Sequence, residues 1–78
     1  MTIRLYSLGT ILLMSDGFPE LFNSKKEILG YDTAKNIFLS VAEKEPAKII
    51  ESLYSEADKW KRDAKQEDDI TFVVVKVN

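Results

Sequence analysis

Apolar and polar residues alternate along the first part of the chain, and this pattern predicts two β-strands. The alternation in residues 2–7 is typical of a strand with one buried face. Leu8-Gly9 then predicts a turn, and residues 10–15 form a run that is apolar on both strand faces. Asp16-Gly17 ends this run abruptly. We therefore expect an antiparallel hairpin whose second strand is buried on both sides.

The next part of the chain has helical spacing. Pro19 suits the first turn of a short helix within residues 18–23. Asp32 or Thr33 can cap a second helix, which we expect to end near Lys44. The apolar positions of this helix follow the spacing of one buried face. They are Ala34, Ile37, Phe38 and Val41.

A longer helix and a last strand complete the predicted elements. Pro46 stands at a suitable first position for a helix that extends to about Asp63. Its apolar face carries Ile50, Leu53, Ala57 and Trp60. A polar loop follows, and the β-branched run of residues 70–77 predicts a strand that is apolar on both faces.

Strands with two apolar faces need a covering layer on each side, but two or three helices can cover only one face of a small sheet. The predicted fold class is therefore α+β, with an antiparallel sheet of about three strands covered on one face by two or three helices. We expect the chain to be a fragment, in which missing sequence supplies the second layer or two copies pack together. The alternative is a self-sufficient α+β miniprotein with a partly apolar back face.

Composition and charge exclude several classes of function. The chain of 78 residues carries 11 basic and 13 acidic side chains, a net charge of −2, which does not favour nucleic acid as a partner. No apolar run is long enough for a membrane span, and no signal peptide is recognisable, so we expect a cytoplasmic protein without membrane insertion. Since the chain has no Cys and no His, catalysis here would need carboxylates, hydroxyls, Lys, Tyr or a metal bound by oxygen.

Acidic residues stand at two places where a buried strand meets a loop. Asp16 follows the strand of residues 10–15, and Asp68 and Asp69 precede the strand of residues 70–77. If these strands are adjacent and antiparallel, Asp16 and Asp68 lie at the same sheet edge. Carboxylates gathered there repel one another unless a cation neutralises them, and such ligands suit Mg²⁺ or Mn²⁺. A turn and a solvated loop are the structural alternatives.

Other polar and aromatic side chains fit structural roles. Ser15 and Thr71 have no visible activating base and fit turn or strand positions. Tyr54 and Trp60 fit packing positions on the long helix, and Lys25-Lys26 fits a solvated turn.

Three segments together resemble a known enzyme family. They are residues 9–20 with Ser15-Asp16-Gly17, the Leu29-Gly30-Tyr31 segment, and residues 66–74 with Asp68-Asp69-Ile70-Thr71. The chain resembles the C-terminal portion of the bacterial PP2C-like metal-dependent protein serine/threonine phosphatases, of the sporulation-protein-E and stress-response-regulator type. The resemblance covers nearly the whole chain, as a single fragment over residues 1–78. Thr10 departs from the family, since many relatives have an acidic residue there, and we expect this to affect the turn more than the chemistry.

The resemblance implies a four-layer αββα sandwich, of which this chain forms a part, and two Mn²⁺ or Mg²⁺ ions in the complete domain. It implies that Asp16 and Asp68 are metal ligands, with Gly17 and Asp69 beside them, and that no other residue here is catalytic. A metal-bound water then attacks the phosphorus of phosphoserine or phosphothreonine. The chain resembles only the C-terminal portion of the domain, so the upstream half, with its own metal ligands, has no counterpart in it. We therefore expect an incomplete metal site and an inactive isolated chain.

The resemblance also implies a biological setting. The substrate would be a phosphoserine or phosphothreonine protein, such as an anti-sigma-factor antagonist in bacterial sigma-factor partner switching. The expected partners are this substrate and either the missing upstream half of the domain or a second copy of the chain. Two other readings stay open: a non-catalytic phosphatase-like module for interaction or dimerisation, and a small α+β domain with coincidental motifs.

Overall fold

A computed structural model describes residues 2–64 and 69–77. Its elements are β1 (Thr2–Ser7), β2 (Thr10–Ser15), α1 (Tyr31–Val41), α2 (Pro46–Lys61) and β3 (Phe72–Lys76). The three strands form one antiparallel sheet in the order β1-β2-β3, with β2 in the centre. The predicted α+β class and the three-stranded antiparallel sheet are therefore confirmed.

The β1–β2 hairpin follows from its turn residues. Leu8 and Gly9 both have a positive φ, at 52° and 74°. A two-residue hairpin turn of type I′ requires a positive φ at both central residues. This turn type is favoured in hairpins because its twist matches that of the strands. The register then pairs Leu5 with Leu12 and Ile3 with Met14.

One face of the sheet forms the core together with the two helices. Leu12 and Met14 of β2 are buried, and so is Phe72 of β3. The two helices contribute six buried side chains, which are Ala34, Phe38, Val41, Ile49, Leu53 and Ala57. The loops between the elements add Phe18, Leu21, Leu29 and Ala42. Ile37, Ile50 and Trp60, which were predicted on these faces, are partly buried against the core.

The opposite face of the sheet is also apolar, and the helices leave it open. Two cross-strand rows lie on it, one formed by Arg4, Leu13 and Val73 and the other by Tyr6, Ile11 and Val75. Val73 and Val75 are 47% and 45% exposed. The sequence pattern predicted this second apolar face, and the described residues supply no layer to cover it.

Three of the predicted helix details differ from the structure. Residues 18–23 do not form the expected short helix: residues 18–20 lie in turns and Phe22 pairs with Ile28. Backbone bonds tie this region to other segments, since the Gly30 amide donates to the Pro19 carbonyl at 2.7 Å. Helix α1 is capped neither by Asp32 nor by Thr33, because Gly30 occupies the N-cap position with a φ of 89° and without a side-chain cap. The helix also ends at Val41, earlier than expected.

The other predicted boundaries are close to those of the structure. Pro46 opens α2 as expected, and the helix ends at Lys61, where Arg62 adopts a φ of 48° and its amide donates to the Asp58 carbonyl. Strand β3 is shorter at both ends than the predicted run of residues 70–77. Within residues 2–64 and 69–77, neither helix combines the length and apolarity that crossing a bilayer requires.

Thr10 has a role in the core that the sequence did not indicate. Its side chain is fully buried, and its hydroxyl donates to the Ala42 carbonyl at 3.1 Å. Ala42 is the C-cap residue of α1, so Thr10 ties the end of that helix to the start of the central strand. We had expected Thr10 to affect the turn.

Candidate functional site

The site lies where β2 ends and β3 begins. The two strands are adjacent and antiparallel, and Met14 pairs with Phe72 at the last position of their register. The sequence analysis predicted this adjacency as the condition for its acidic site. The end of β2 and the residues before β3 therefore share one edge of the sheet.

Ser15 fastens this edge with its backbone and its side chain. Its amide donates to the Thr71 carbonyl at 3.1 Å, which extends the pairing beyond the register of β2 and β3. Its hydroxyl donates to the Asp69 carbonyl at 3.0 Å and accepts from the Thr71 amide at 3.0 Å. One side chain thus holds the backbone on both sides of Ile70. The sequence pattern indicates only a turn or strand position for Ser15 and gives no sign of these contacts.

Gly17 is a point of close backbone approach. A Cβ atom there would lie 2.3 Å from the Asp69 carbonyl oxygen and 3.0 Å from its carbonyl carbon. Real Cβ atoms do not come so close, so the site requires glycine for space. The Asp16-Gly17 dipeptide therefore does more than form a turn, because it lets the Asp69 backbone pack against the end of β2.

The structure places the predicted acidic residues as follows. Asp16 comes directly after β2 and is half-buried, with its Oδ1 atom shielded from solvent. Asp69 is exposed, and its carbonyl lies against Gly17 and Ser15. Asp68 lies outside the described residues, and its role as a ligand stays a prediction.

Tyr54 supports the same segment from α2. Its hydroxyl donates to the Ile70 carbonyl at 3.2 Å, and its ring packs edge-to-face on Phe72 with centroids 4.9 Å apart. Phe72 in turn meets Phe18 edge-to-face at 5.1 Å. These aromatic contacts connect α2, the start of β3 and the turn after Asp16. The packing role predicted for Tyr54 is confirmed by its contact with Phe72, whereas its hydrogen bond has no signal in the sequence.

Tyr31, the first residue of α1, lies within electrostatic range of the acidic turn. Partial desolvation raises the pKa of its hydroxyl above 10.0, and the negative charges of Asp16 and Glu20 raise it further. The half-exposed phenol therefore stays protonated at neutral pH and can donate a hydrogen bond beside Asp16. The Leu29-Gly30-Tyr31 segment is part of the family resemblance, but the sequence pattern indicated no role for Tyr31 at the site.

The donors at this edge are hard oxygen ligands. Asp16 offers a carboxylate, and the chain has no Cys and no His to compete with it. Mg²⁺ and Mn²⁺ prefer such oxygen ligands and are commonly held by one or two protein carboxylates. Over the residues that the structure describes, no group of three or more Asp, Glu, His or Cys side chains converges. The Asp16 carboxylate thus fits the chemistry of a divalent-metal site.

A groove on the described surface lies away from this edge of the sheet. It has a volume of about 380 Å³ and runs between α1 and α2, where its lining includes Ser40, Lys44, Ser55 and Lys59. Lys59 pairs with Glu56 across one helical turn, so the positive charges of this groove are partly balanced. None of the predicted site residues lines it.

Comparison with known proteins identifies a family. The family model described as Stage II sporulation protein E (SpoIIE) matches residues 1–78. Neither the curated proteins nor the solved structures include a match to this chain.

Proposed function

Because the chain belongs to the Stage II sporulation protein E (SpoIIE) family, we propose that it forms one metal-binding edge of a protein serine/threonine phosphatase. The family is one of PP2C-like phosphatase domains. The observation that carries the proposal is the attachment of the Ser15-Asp16-Gly17 turn to the backbone of residues 69–71. This attachment joins the two segments whose acidic residues characterise the family.

We propose Asp16 and Asp68 as ligands of Mn²⁺ or Mg²⁺, with two such ions in the complete domain. When bound, these ions supply an activated water and neutralise the phosphoryl oxygens. Asp16 is suited to this role because its position at the end of the central strand fixes its backbone. Gly17 and Asp69 support the site through the close approach of their backbones.

Tyr31 has a supporting role in this proposal. A protonated phenol near Asp16 can donate a hydrogen bond to a phosphoryl oxygen without adding negative charge to an acidic site. The chain has no histidine that could donate in its place. We therefore propose Tyr31 as a neutral donor beside Asp16.

In this proposal, the chain forms only one part of the phosphatase domain. We propose that the upstream half of the phosphatase domain covers the open sheet face formed by the rows Arg4-Leu13-Val73 and Tyr6-Ile11-Val75. Apolar side chains on such a face match the inner surface of a second sheet. The same half would supply the remaining metal ligands, so the isolated chain should be inactive and bind Mn²⁺ weakly.

The proposed substrate is a phosphoserine or phosphothreonine protein in the bacterial cytoplasm, for example an anti-sigma-factor antagonist. This part of the proposal rests on analogy with the family.

The test compares Asp16→Asn with Asp58→Asn in the complete natural protein. Asp58 is an exposed residue of α2, so its substitution removes the same charge away from the site. Asp16→Asn should reduce Mn²⁺-dependent hydrolysis of a phosphoserine peptide by at least about a hundredfold, while Asp58→Asn should retain it. Circular dichroism should give the same folded spectrum for both variants. Equal activity of the two variants would refute the proposal.

A second candidate function is a non-catalytic module for interaction or dimerisation. The exposed apolar residues Val73 and Val75 favour it, because large exposed apolar patches mark interaction surfaces. On this reading, neither Asp16→Asn nor Asp68→Asn changes metal response or partner affinity. The experiment above therefore separates the two functions.

A further inference from the structure

Residues 21–29, here called the ribbon, form a small antiparallel structure directly after the Asp16 turn. Phe22 and Ile28 pair across it, and the Leu29 amide donates to the Leu21 carbonyl at 2.9 Å. The Asn23 amide donates to the Glu27 carbonyl at 3.0 Å, which closes the tip. The ribbon therefore has two sides, as a strand pair does.

The two sides of the ribbon differ in burial. Leu21 and Leu29 are only 5% and 6% exposed and belong to the core. Phe22 and Ile28 are 45% and 48% exposed. Because Phe22 and Ile28 are cross-strand partners, their side chains are neighbours on the outer side. The outer side thus presents a pair of apolar side chains that the core does not use.

The ribbon is held in a fixed shape. Asn23 Oδ1 accepts from the amides of Lys25 and Glu27 at 2.9 Å each, and Asn23 Nδ2 donates to Glu27 Oε1 at 3.0 Å. Trp60 Nε1 donates to the Leu21 carbonyl at 2.9 Å and fastens the base of the ribbon to α2. A surface that is ordered in advance loses less entropy when it binds a partner.

The tip of the ribbon carries positive charge. Lys25 and Lys26 are exposed, and Lys26 adopts the left-handed conformation with a φ of 62°. Across residues 2–64 and 69–77, neither ammonium group forms an ion pair. The neighbouring Glu27 carboxylate accepts a hydrogen bond from Asn23. The two lysines are therefore available to an acidic group in a chain whose net charge is −2.

The ribbon is close to the proposed site along the chain. Phe22 follows Asp16 by six residues, which span at most about 20 Å even when fully extended. The turn between them is compact, since the Glu20 amide donates to the Asp16 carbonyl at 3.0 Å. A peptide with its phosphoserine near Asp16 can thus reach the ribbon with residues that flank the phosphoserine.

We infer that the ribbon is a docking surface for the protein substrate. It takes a flanking segment in which an apolar side chain packs on Phe22 and Ile28 and an acidic side chain meets Lys25 and Lys26. The inference rests on the proposed function, because it assigns the substrate's flanking sequence to the same site. A lipid surface fits less well, since two lysines and two apolar side chains on an acidic chain give weak membrane binding.

The experiment uses the complete natural protein with Mn²⁺ and two synthetic phosphoserine peptides. One peptide carries Asp and Leu beside the phosphoserine, and the other carries Lys in place of each Asp. The variant is Lys25→Glu/Lys26→Glu, and the matched control is Lys35→Glu/Lys44→Glu, which reverses two other exposed lysines. Hydrolysis of p-nitrophenyl phosphate, which has no flanking residues, gives the active fraction of each preparation and normalises the peptide rates.

The readout is the ratio of kcat/KM for the acidic peptide to kcat/KM for the lysine peptide. The wild type should favour the acidic peptide, and Lys25→Glu/Lys26→Glu should lower the ratio about five- to tenfold. The control should retain the wild-type ratio. A second variant, Phe22→Ser, should lower kcat/KM for both peptides, because it removes an apolar contact that they share.

The other outcomes separate the two proposals. If the Lys25→Glu/Lys26→Glu protein hydrolyses p-nitrophenyl phosphate but keeps the wild-type peptide ratio, the docking inference is wrong and the proposed function stands. If both double variants lower the ratio equally, a general charge effect replaces the docking inference. A wild-type protein that hydrolyses none of the three substrates overturns the proposed function, and the docking inference with it.

Discussion

The Ser15 hydroxyl lies 3.0 Å from the Asp69 carbonyl oxygen, to which it donates, although 54 positions separate the two residues in sequence. The same hydroxyl oxygen accepts from the Thr71 amide. A serine side chain can make both bonds because its hydroxyl is a donor and an acceptor at once. Two segments that are distant in sequence thus meet at one atom.

Ser15→Ala should lower the free energy of unfolding by about 1 kcal/mol, because the Asp69 carbonyl and the Thr71 amide lose a partner near solvent. Urea unfolding followed by Trp60 fluorescence measures this change. Ser40→Ala is the matched control, since Ser40 is exposed and its hydroxyl bonds only within its own helix, to the Ile37 carbonyl. Equal losses for the two variants would contradict the importance of the long-range contact.

Gly17→Ala should destabilise the protein by about 2–3 kcal/mol, because the new Cβ would displace the Asp69 carbonyl. Gly30→Ala is a useful comparison, since a Cβ there meets nothing within 4 Å and only the positive φ is strained. We expect that variant to lose about 1–3 kcal/mol, because a φ of 89° with a ψ of 157° is a conformation that essentially only glycine adopts. Urea unfolding measures both variants, and a Gly17→Ala protein as stable as the wild type would be the contrary result.

Thr10→Val should cost about 1 kcal/mol of stability. Valine fills the buried space of threonine but cannot donate to the Ala42 carbonyl, which remains without this bond at the end of α1. Thr33→Val makes the same chemical change on the exposed surface of α1 and should alter stability by less than about 0.5 kcal/mol. Thermal unfolding of the two variants provides the comparison.

Asp16→Asn should lower the pKa of Tyr31. The Asp16 charge disfavours the phenolate, so its removal shifts the pKa downward, although desolvation and Glu20 keep it above 10.0. An NMR titration of the tyrosine ring carbons measures the shift. An unchanged Tyr31 titration would show that the two side chains do not interact.

The raised pKa of Tyr31 also affects stability at high pH. A group whose pKa is higher in the folded state gives its full stabilisation below the unfolded-state pKa, here about 10. This contribution is lost as the pH rises through the folded-state pKa. Tyr31→Phe should therefore reduce the decline of stability above pH 10.

The sequence predicted the elements that depend on local pattern. Both strands of the hairpin and the start of α2 at Pro46 followed from alternation, turn residues and proline placement. The short helix expected around Pro19 is absent because contacts from distant residues, such as Trp60 to the Leu21 carbonyl, determine that region. A local pattern does not contain such contacts.

The candidate site, like the fold, was predictable from the sequence only in part. Asp16 and the meeting of β2 with β3 followed from two apolar strands that both border acidic residues. The hydrogen bonds of Ser15 and Tyr54 could not be predicted from the sequence pattern, because each one reaches a carbonyl at least 16 positions away. The predicted place of Asp68 lies outside the residues that the structure describes.

The central position of β2 in the sheet restricts local unfolding near Asp16. β2 has a hydrogen-bonded neighbour on both sides, whereas β1 and β3 each have one. Local opening at the end of β2 therefore requires the loss of two ladders, and the amide protons of β2 should exchange with deuterium more slowly than those of either outer strand. The turn that carries Asp16 is thus attached to the part of the sheet that fluctuates least.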